Sequence, residues 1–392
     1  LCKSAPTDGF ASRAKFNGRA RRLASTEIRT DGGLASRGSH FETAFADCLA
    51  WRDFGFPDAA GFEREESEAP WRGVFAGFGG EVGLGWCISK PSVVRDGKSN
   101  SLGRDFRRAY AATTDAIWER EMADGFDLKK YLARVGFPGA ARPDLATLSA
   151  LHSAHVDAIP FEGMDPLLGR PVKLDLPSLQ AKLIDSPRGG YCFEQNALFK
   201  AALDEIGFKV TGLGGRVRWM SPPDAPLGPR EHMLLKVDLP EGSYLADVGF
   251  GACVLDRPLR FGADGEQSTS MGTFLLKQAD GMFTLSAKQP NGYRDMYVFD
   301  LQPQIAADYE LGNWYTSTNP RAPFPHVLIM ERVGSDKRYK LINRRYAIES
   351  RDGEATQETL MENAEELGRV LDEVFGVIPP VPNRELFDRL NG

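Results

Sequence analysis

The run Arg188-Gly189-Gly190-Tyr191-Cys192-Phe193-Glu194-Gln195-Asn196 puts a cysteine at the junction between a glycine-bearing turn and an amphipathic helix. Beyond it, Phe193, Ala197, Leu198, Ala201, Ala202 and Ile206 fall on one helical face, and Gly207 stands where a C′ residue ends a helix. The chain is committed there to a turn that enters a helix, with Cys192 at or next to the first helical residue. Unpaired amide N–H groups and the positive end of the helix dipole favour thiolate over thiol at such a place. A nucleophilic sulfur still needs a base to hold its proton.

His232, in Glu231-His232-Met233-Leu234-Leu235-Lys236-Val237, is the candidate base. Asp247, in Tyr244-Leu245-Ala246-Asp247-Val248-Gly249-Phe250-Gly251, is the candidate group to orient it. Both lie on strand-like runs joined by the turn-forming Pro240-Glu241-Gly242-Ser243, which reads as an antiparallel hairpin. Centred on that turn, the register sets His232 opposite Gly251. The side chains of His232 and Asp247 then stand roughly 13 Å apart along the strand at about 3.3 Å per residue. A bulge or strong twist near Gly249 and Gly251 is needed to bring them together. A lone cysteine before a helix is more often an inert buried thiol. An aspartate between Ala246 and Val248 on an apolar strand is harder to dismiss, because a buried carboxylate is costly unless paired. Cysteine, histidine and aspartate, each on a well-formed element, point to nucleophilic catalysis.

Further motifs accompany these three: Tyr131-Leu132-Ala133-Arg134-Val135-Gly136, Leu151-His152-Ser153-Ala154-His155, Ile159-Pro160-Phe161-Glu162 and Gly215-Arg216-Val217. In this order, with the cysteine, histidine and aspartate runs, the chain resembles the arylamine N-acetyltransferases from about Met122 to Gly392. The resemblance implies a ping-pong transfer in which Cys192 takes acetyl from acetyl-CoA and an arylamine, arylhydrazine or hydrazide attacks the thioester. His232 is then the base and Asp247 its orienting acid. The resemblance also implies an acceptor pocket walled by Phe161, Val217 and Phe250, and acetyl-CoA at the active-site mouth against Gly249 and Gly251. Arg188, Glu162 and Arg134 become a charged network supporting the active-site turn.

Two positions depart from the family pattern. Gly163 stands where relatives commonly carry Asn, and Glu231 where they often have Thr. Glu231 brings negative charge close to the mouth and is expected to face solvent. Water or a protein amine as acceptor, in a hydrolase or transglutaminase-like enzyme, or a macrocycle-closing amide synthase, would use the same three residues.

A net charge of −6 over 392 residues excludes a general nucleic-acid binder. No apolar run approaches the roughly 20 residues of a membrane span, and no signal peptide opens the sequence. The five cysteines show no metal-ligand spacing, which points to reduced thiols in a cytoplasmic, metal-free protein, monomeric or homodimeric. Residues 1–121 are poor in apolar residues and show no sustained period, and the glycines at 77, 79, 80, 83 and 85 lack the Gly-Lys-Ser/Thr ending of a phosphate loop. That stretch is expected to be disordered or to arise from a misplaced start, outside the working enzyme.

From Met122 on, the expected fold is α+β in three parts. A helical bundle over 122–207 carries the cysteine, an antiparallel β-barrel over 208–305 carries the histidine and aspartate, and an α/β lid fills 306–392. The core is of the cysteine-protease or transglutaminase type. The last element is expected to be a helix over Thr359 to Phe375.

Overall fold

The structure, a computed structural model, describes residues 126–390 apart from Pro223, Ser335 and Asp352. The extension expected over residues 1–121, with its glycine cluster, lies outside the described residues.

Aspartates start the first two helices. Asp127 caps α1 (Leu128–Arg134) by accepting from the Lys130 amide, and Asp144 caps α2 (Leu145–Ala158) by accepting from the Thr147 amide. A short strand β1 (Phe161–Glu162) follows, then α3 (Met164–Leu167) and α4 (Leu176–Leu179), which runs into a π-helical turn over Gln180–Ile184. The helix α5 (Cys192–Ile206) starts on Cys192 itself and ends at Gly207, whose φ of 97° lies in the left-handed region that spares glycine a Cβ clash. Phe193, Leu198, Phe199, Ala202 and Leu203 of α5 bury against Tyr131, Leu148, Leu151, Leu179 and Leu183.

The next part is an eight-stranded antiparallel sheet ordered β5-β4-β3-β2-β9-β8-β7-β6. Its strands are β2 (Lys209–Val217), β3 (His232–Leu239), β4 (Gly242–Ala246), β5 (Leu259–Arg260), β6 (Glu266–Ser268), β7 (Thr273–Ala279), β8 (Met282–Gln289) and β9 (Gly292–Phe299). It curls into a nearly closed barrel around Leu213, Leu234, Leu245, Phe274, Leu285, Tyr297 and Phe299. The Gln267 side chain bridges the two ends: its oxygen accepts the Arg260 N–H (2.7 Å) and its nitrogen donates to the Arg260 carbonyl (3.0 Å).

The hairpin of β3 and β4 differs from expectation. Leu239 pairs with Gly242 and Leu235 with Ala246, so Pro240 and Glu241 alone make the turn. The tighter turn moves the register by two residues, and pairing stops at Ala246. The chain then leaves the ladder at Asp247, so the approach of Asp247 to His232 needs no bulge.

Beyond α6 (Ala306–Thr318), the strands β10 (Ile329–Val333), β11 (Arg338–Ile342), β12 (Arg345–Glu349) and β13 (Ala355–Leu360) form a second antiparallel sheet. Its other edge is β1, so this sheet reaches back into the helical region. The helix expected over Thr359 to Phe375 is replaced at its start by β13. The helical path begins with α7 (Ala364–Arg369), capped by Asn363, continues as a π-helical turn over Val370–Phe375, and is followed by α8 (Asn383–Arg389). These pack Leu367, Leu371, Phe375 and Leu386 on Met330 and Leu341 of the sheet and on Leu328 just before it. The class is α+β, as the sequence indicates.

Candidate active site

Cys192 of α5, His232 of β3 and Asp247, just past the end of β4, meet where the α5 N-terminus faces the start of β3. The His232 Nε2 is 2.7 Å from Asp247 Oδ2, with the two side chains 2 % and 0 % exposed. That contact occupies one ring nitrogen and leaves Nδ1 for the thiol, with which His232 also hydrogen-bonds. The Cys192 Sγ lies 3.7 Å from the Glu231 carbonyl oxygen as well. Burial alone would lower the His232 basicity. The Asp247 carboxylate, aided by Cys192, outweighs that and raises it, so the imidazolium is the favoured form.

Asp247 is held as an anion although burial works against it, because donors surround it and His232 lies against it. Its Oδ2 also accepts from Tyr297 Oη (2.8 Å), while Oδ1 accepts from Asn196 Nδ2 (2.9 Å) and the Gly249 amide (2.9 Å). Asn196 is one helical turn beyond Cys192. It ties α5 to the strands, donating also to the Met233 carbonyl (2.7 Å) and accepting from the Val248 amide (3.1 Å). A single helix face thus carries the thiol and the brace of its distant aspartate.

Beneath this lies a second polar layer. The His152 Nε2 accepts the Asp247 amide (3.2 Å). His155 sits between Tyr131 Oη (2.9 Å from Nδ1) and Gln195 Oε1 (2.7 Å from Nε2). The nitrogen end of Gln195 faces the carbonyls of Pro160 (2.9 Å) and Gly190 (3.2 Å) and must donate to them. Its oxygen therefore accepts from His155 Nε2–H, and Tyr131 donates to His155 Nδ1. Burial pushes His152 down to about 4, against the pull of Asp256 and Asp247, and His155 down to about 3. Both stay neutral at pH 7. Both lie on the buried side of α2.

The turn before the thiol is clamped by charge. Arg188 pairs with Glu162 (2.6 Å) and Asp165 (3.2 Å), and Lys182 bridges Asp165 (2.6 Å) and Glu194 (2.7 Å). Glu194 in turn accepts the Tyr191 amide (3.1 Å). Arg134, expected in this network, is apart from it. Its guanidinium donates to the carbonyls of Leu183 and Ala158, a main-chain brace between α1, α2 and the π-helical turn.

Phe250 packs edge-on to His232 (5.2 Å between centroids) and against Tyr297 and Trp219 (5.3 and 6.0 Å). Val217 belongs to the same cluster, and Phe161 packs against Phe324 (6.1 Å). An ideal Cβ on Gly251 would fall 2.2 Å from the Phe161 ring, and one on Gly249 would fall 2.8 Å from the Cys192 Cα. The bareness of both glycines is thus taken up by packing within the protein.

A sequence profile described as N-acetyltransferase matches residues 144–379. The arylamine N-acetyltransferase of Mycolicibacterium smegmatis is 41 % identical over 254 residues, which cover 64 % of this chain and 92 % of that protein. The Escherichia coli arylamine N-acetyltransferase is 38 % identical over 250 residues, 64 % of this chain and 88 % of that protein. The chain belongs to the arylamine N-acetyltransferase family.

The solved structure of the M. smegmatis arylamine N-acetyl transferase aligns with a TM-score of 0.64 at 38 % identity, covering 68 % of this chain and 98 % of that one. That of the Mycobacterium marinum arylamine N-acetyltransferase in complex with CoA gives 0.64 at 36 % identity, covering 67 % and 98 %. This arylamine N-acetyltransferase family member is therefore an enzyme. Among the described residues no group of three or more His, Cys, Asp or Glu side chains could hold a metal ion, and no helix is long and apolar enough to cross a membrane.

Sequence reasoning misses Tyr297, Lys182, Asp165 and Trp219, which come from segments with no catalytic pattern of their own. Gln195 and Asn196 leave a signal: two amides side by side in a helix whose neighbours are buried must be satisfied by something. Glu231 corrects an expectation. Its side chain is half-buried rather than turned to solvent, and burial pushes its carboxyl up while His232 pulls it down.

Proposed function

We propose that this enzyme transfers acetyl from acetyl-CoA to arylamines, arylhydrazines or hydrazides through an acetyl-Cys192 thioester, in two half-reactions. The observation that carries this reading is the alignment of Asp247, His232 and Cys192, with the imidazolium favoured by a buried carboxylate. In the first half the Cys192 thiolate attacks the acetyl carbonyl, and the carbon–sulfur bond to CoA breaks. The departing CoA thiolate takes the proton from the His232 imidazolium. In the second half the acceptor nitrogen attacks the thioester and its proton passes to neutral His232. The amide leaves, and the thiolate–imidazolium pair is restored.

Asp247 holds the ring in one orientation throughout and stabilises its cation without taking its proton. The amides of Cys192 and Phe193, in the first helical turn, have no acceptor within α5 and suit the tetrahedral oxyanion. Phe250 and Trp219, with Val217 beside them, suit a flat aromatic acceptor as walls.

Intact-mass measurement after mixing with acetyl-CoA, propionyl-CoA and malonyl-CoA in turn tests the reading. A single acyl adduct on Cys192 that an arylamine discharges is expected. Turnover without any adduct on Cys192 would remove the two-step mechanism.

A further inference from the structure

The carboxylates around the thiol are nearly all answered. Glu162, Asp165 and Glu194 are met by Arg188 and Lys182, Asp247 by His232, and Asp300 by Arg230. Glu231 is the exception: no hydrogen bond to its carboxylate is seen among the described residues, and His232, which acts on it electrostatically, is already in contact with Asp247. The cations near it in sequence are engaged elsewhere. Arg216 donates to the Gly228 carbonyl, Arg218 to those of Pro222 and Ala225, and Arg230 pairs with Asp300 at 2.7 Å.

Its position is informative. The Glu231 carbonyl is 3.7 Å from the Cys192 Sγ, so the residue stands at the edge of the reacting sulfur. Its side chain is half-buried, and Oε1 lies 3.9 Å from where a Cβ on Gly228 would sit. Gly228 is in the loop that joins β2 to β3. That loop starts beside Val217 and carries Trp219, both of the aromatic cluster on Phe250. The Glu231 carboxylate therefore lies beside Gly228 of that loop, within electrostatic reach of His232 and with no hydrogen bond of its own among the described residues to hold it.

We infer that Glu231 selects the acceptor by charge, admitting neutral and cationic aryl amines and hydrazines and disfavouring those with an anionic ring substituent. This rests on acyl transfer through Cys192 and adds to it which acceptors are taken. Like charges a few ångströms apart in a half-solvated site repel enough to change a rate about fivefold, and salt weakens the effect.

The test compares 4-aminobenzoate with 4-aminobenzamide, which share a ring and an attacking nitrogen and differ in charge. For the wild-type enzyme and for Glu231→Gln and Glu231→Asp, acetyl loading of Cys192 is followed by mass. The kcat/KM ratio of the two acceptors is then measured at low and high salt. In the wild type the benzamide is expected to be favoured, and added salt should narrow the gap. Glu231→Gln should raise the relative rate of the benzoate about fivefold, and Glu231→Asp should keep the wild-type preference. Wild-type protein that loads and transfers, yet shows the same ratio at both salt concentrations and after Glu231→Gln, overturns the acceptor assignment alone. Wild-type protein that never loads Cys192 removes the acyl-transfer reading and this inference with it.

Discussion

Two regions of the interior bury histidine to a similar degree and leave it in opposite states. At the start of β3, His232 is raised and cationic. In α2, His152 and His155 are lowered and neutral. Burial is the largest influence in all three and always favours the neutral ring. The difference is a carboxylate. His232 makes a 2.7 Å contact with an aspartate fixed as an anion by Tyr297, Asn196 and the Gly249 amide. His155 faces a phenol and an amide, and His152 accepts the backbone N–H of the same aspartate, with the carboxylates of Asp256 and Asp247 acting on it too weakly to offset burial. What sets the charge of a buried histidine here is thus the side of Asp247 that it touches.

Removing the thiol proposed as nucleophile is the harshest test of this contrast. Cys192→Ser should lose turnover by on the order of 10⁴ or more, since an alkoxide is far harder to form than a thiolate. His232 should nonetheless remain raised, because Asp247 is still in place, and NMR titration of the imidazole checks this. Cys253, buried away from the triad, should be replaceable by alanine or serine at small cost to activity. Appreciable acetyl transfer by the Cys192→Ser protein would sink the assignment.

Asp247→Asn should turn His232 into a histidine of the α2 kind. Its basicity should fall, and turnover should drop by about 10⁴, as in the serine triad where the same change leaves the wrong tautomer. Alkylation of Cys192 at pH 6 should slow in parallel. Unchanged alkylation kinetics would show that the carboxylate does not set the state of the pair.

Acid stability reads the α2 side. His152 and His155 titrate at about 4 and about 3 when folded, against an ordinary 6.5, so the folded state binds fewer protons. Their contribution is complete above pH 6.5 and is lost as pH falls towards those values, by about tenfold in the folding equilibrium per pH unit for each histidine. His232, shifted upward, behaves in the reverse sense: its contribution is present below pH 6.5 and is lost as pH climbs through its raised value. Burial also raises Glu194 and Glu349, which offsets part of the acid loss. Urea midpoints between pH 7 and 4.5 should therefore fall less steeply in His155→Gln than in the wild type. Equal slopes would mean that His155 is not neutral in the fold.

The smallest effect is that of His155→Ala at neutral pH. It should destabilise by about 2–4 kcal/mol, because it leaves a cavity and strands Tyr131 Oη and Gln195 Oε1. The His232 titration should stay in place. If that titration moved with the loss of stability, the two layers would be one coupled unit.

Much of this was legible in the residues, for identifiable reasons. β2 and β3 begin and end where apolar runs meet Gly- and Pro-rich turns, and α5 begins and ends on its glycine-bearing turn and Gly207. The hairpin register was not legible, because Pro240-Glu241-Gly242-Ser243 is compatible with both a two-residue and a four-residue connection. β13 was hidden because its six residues are all exposed, so it carries no apolar period. The charged clamp was half visible: Arg188 and Glu162 flank recognisable motifs, whereas Lys182 and Asp165 have no signature and are recruited by the fold alone. Arg134 looked like a partner by its motif and turned out to serve main-chain carbonyls.

The bridge made by Gln267 gives the barrel a weak line. Everywhere else neighbouring strands are laced by ladders of main-chain bonds, but the two terminal strands are stapled by one surface amide. A cylinder fastened in this way unrolls from its seam, so solvent deuterium should enter first along β5 and β6. β3 lies two strands inward from that seam, which lets the barrel breathe at its margin while the histidine that starts β3 keeps its place.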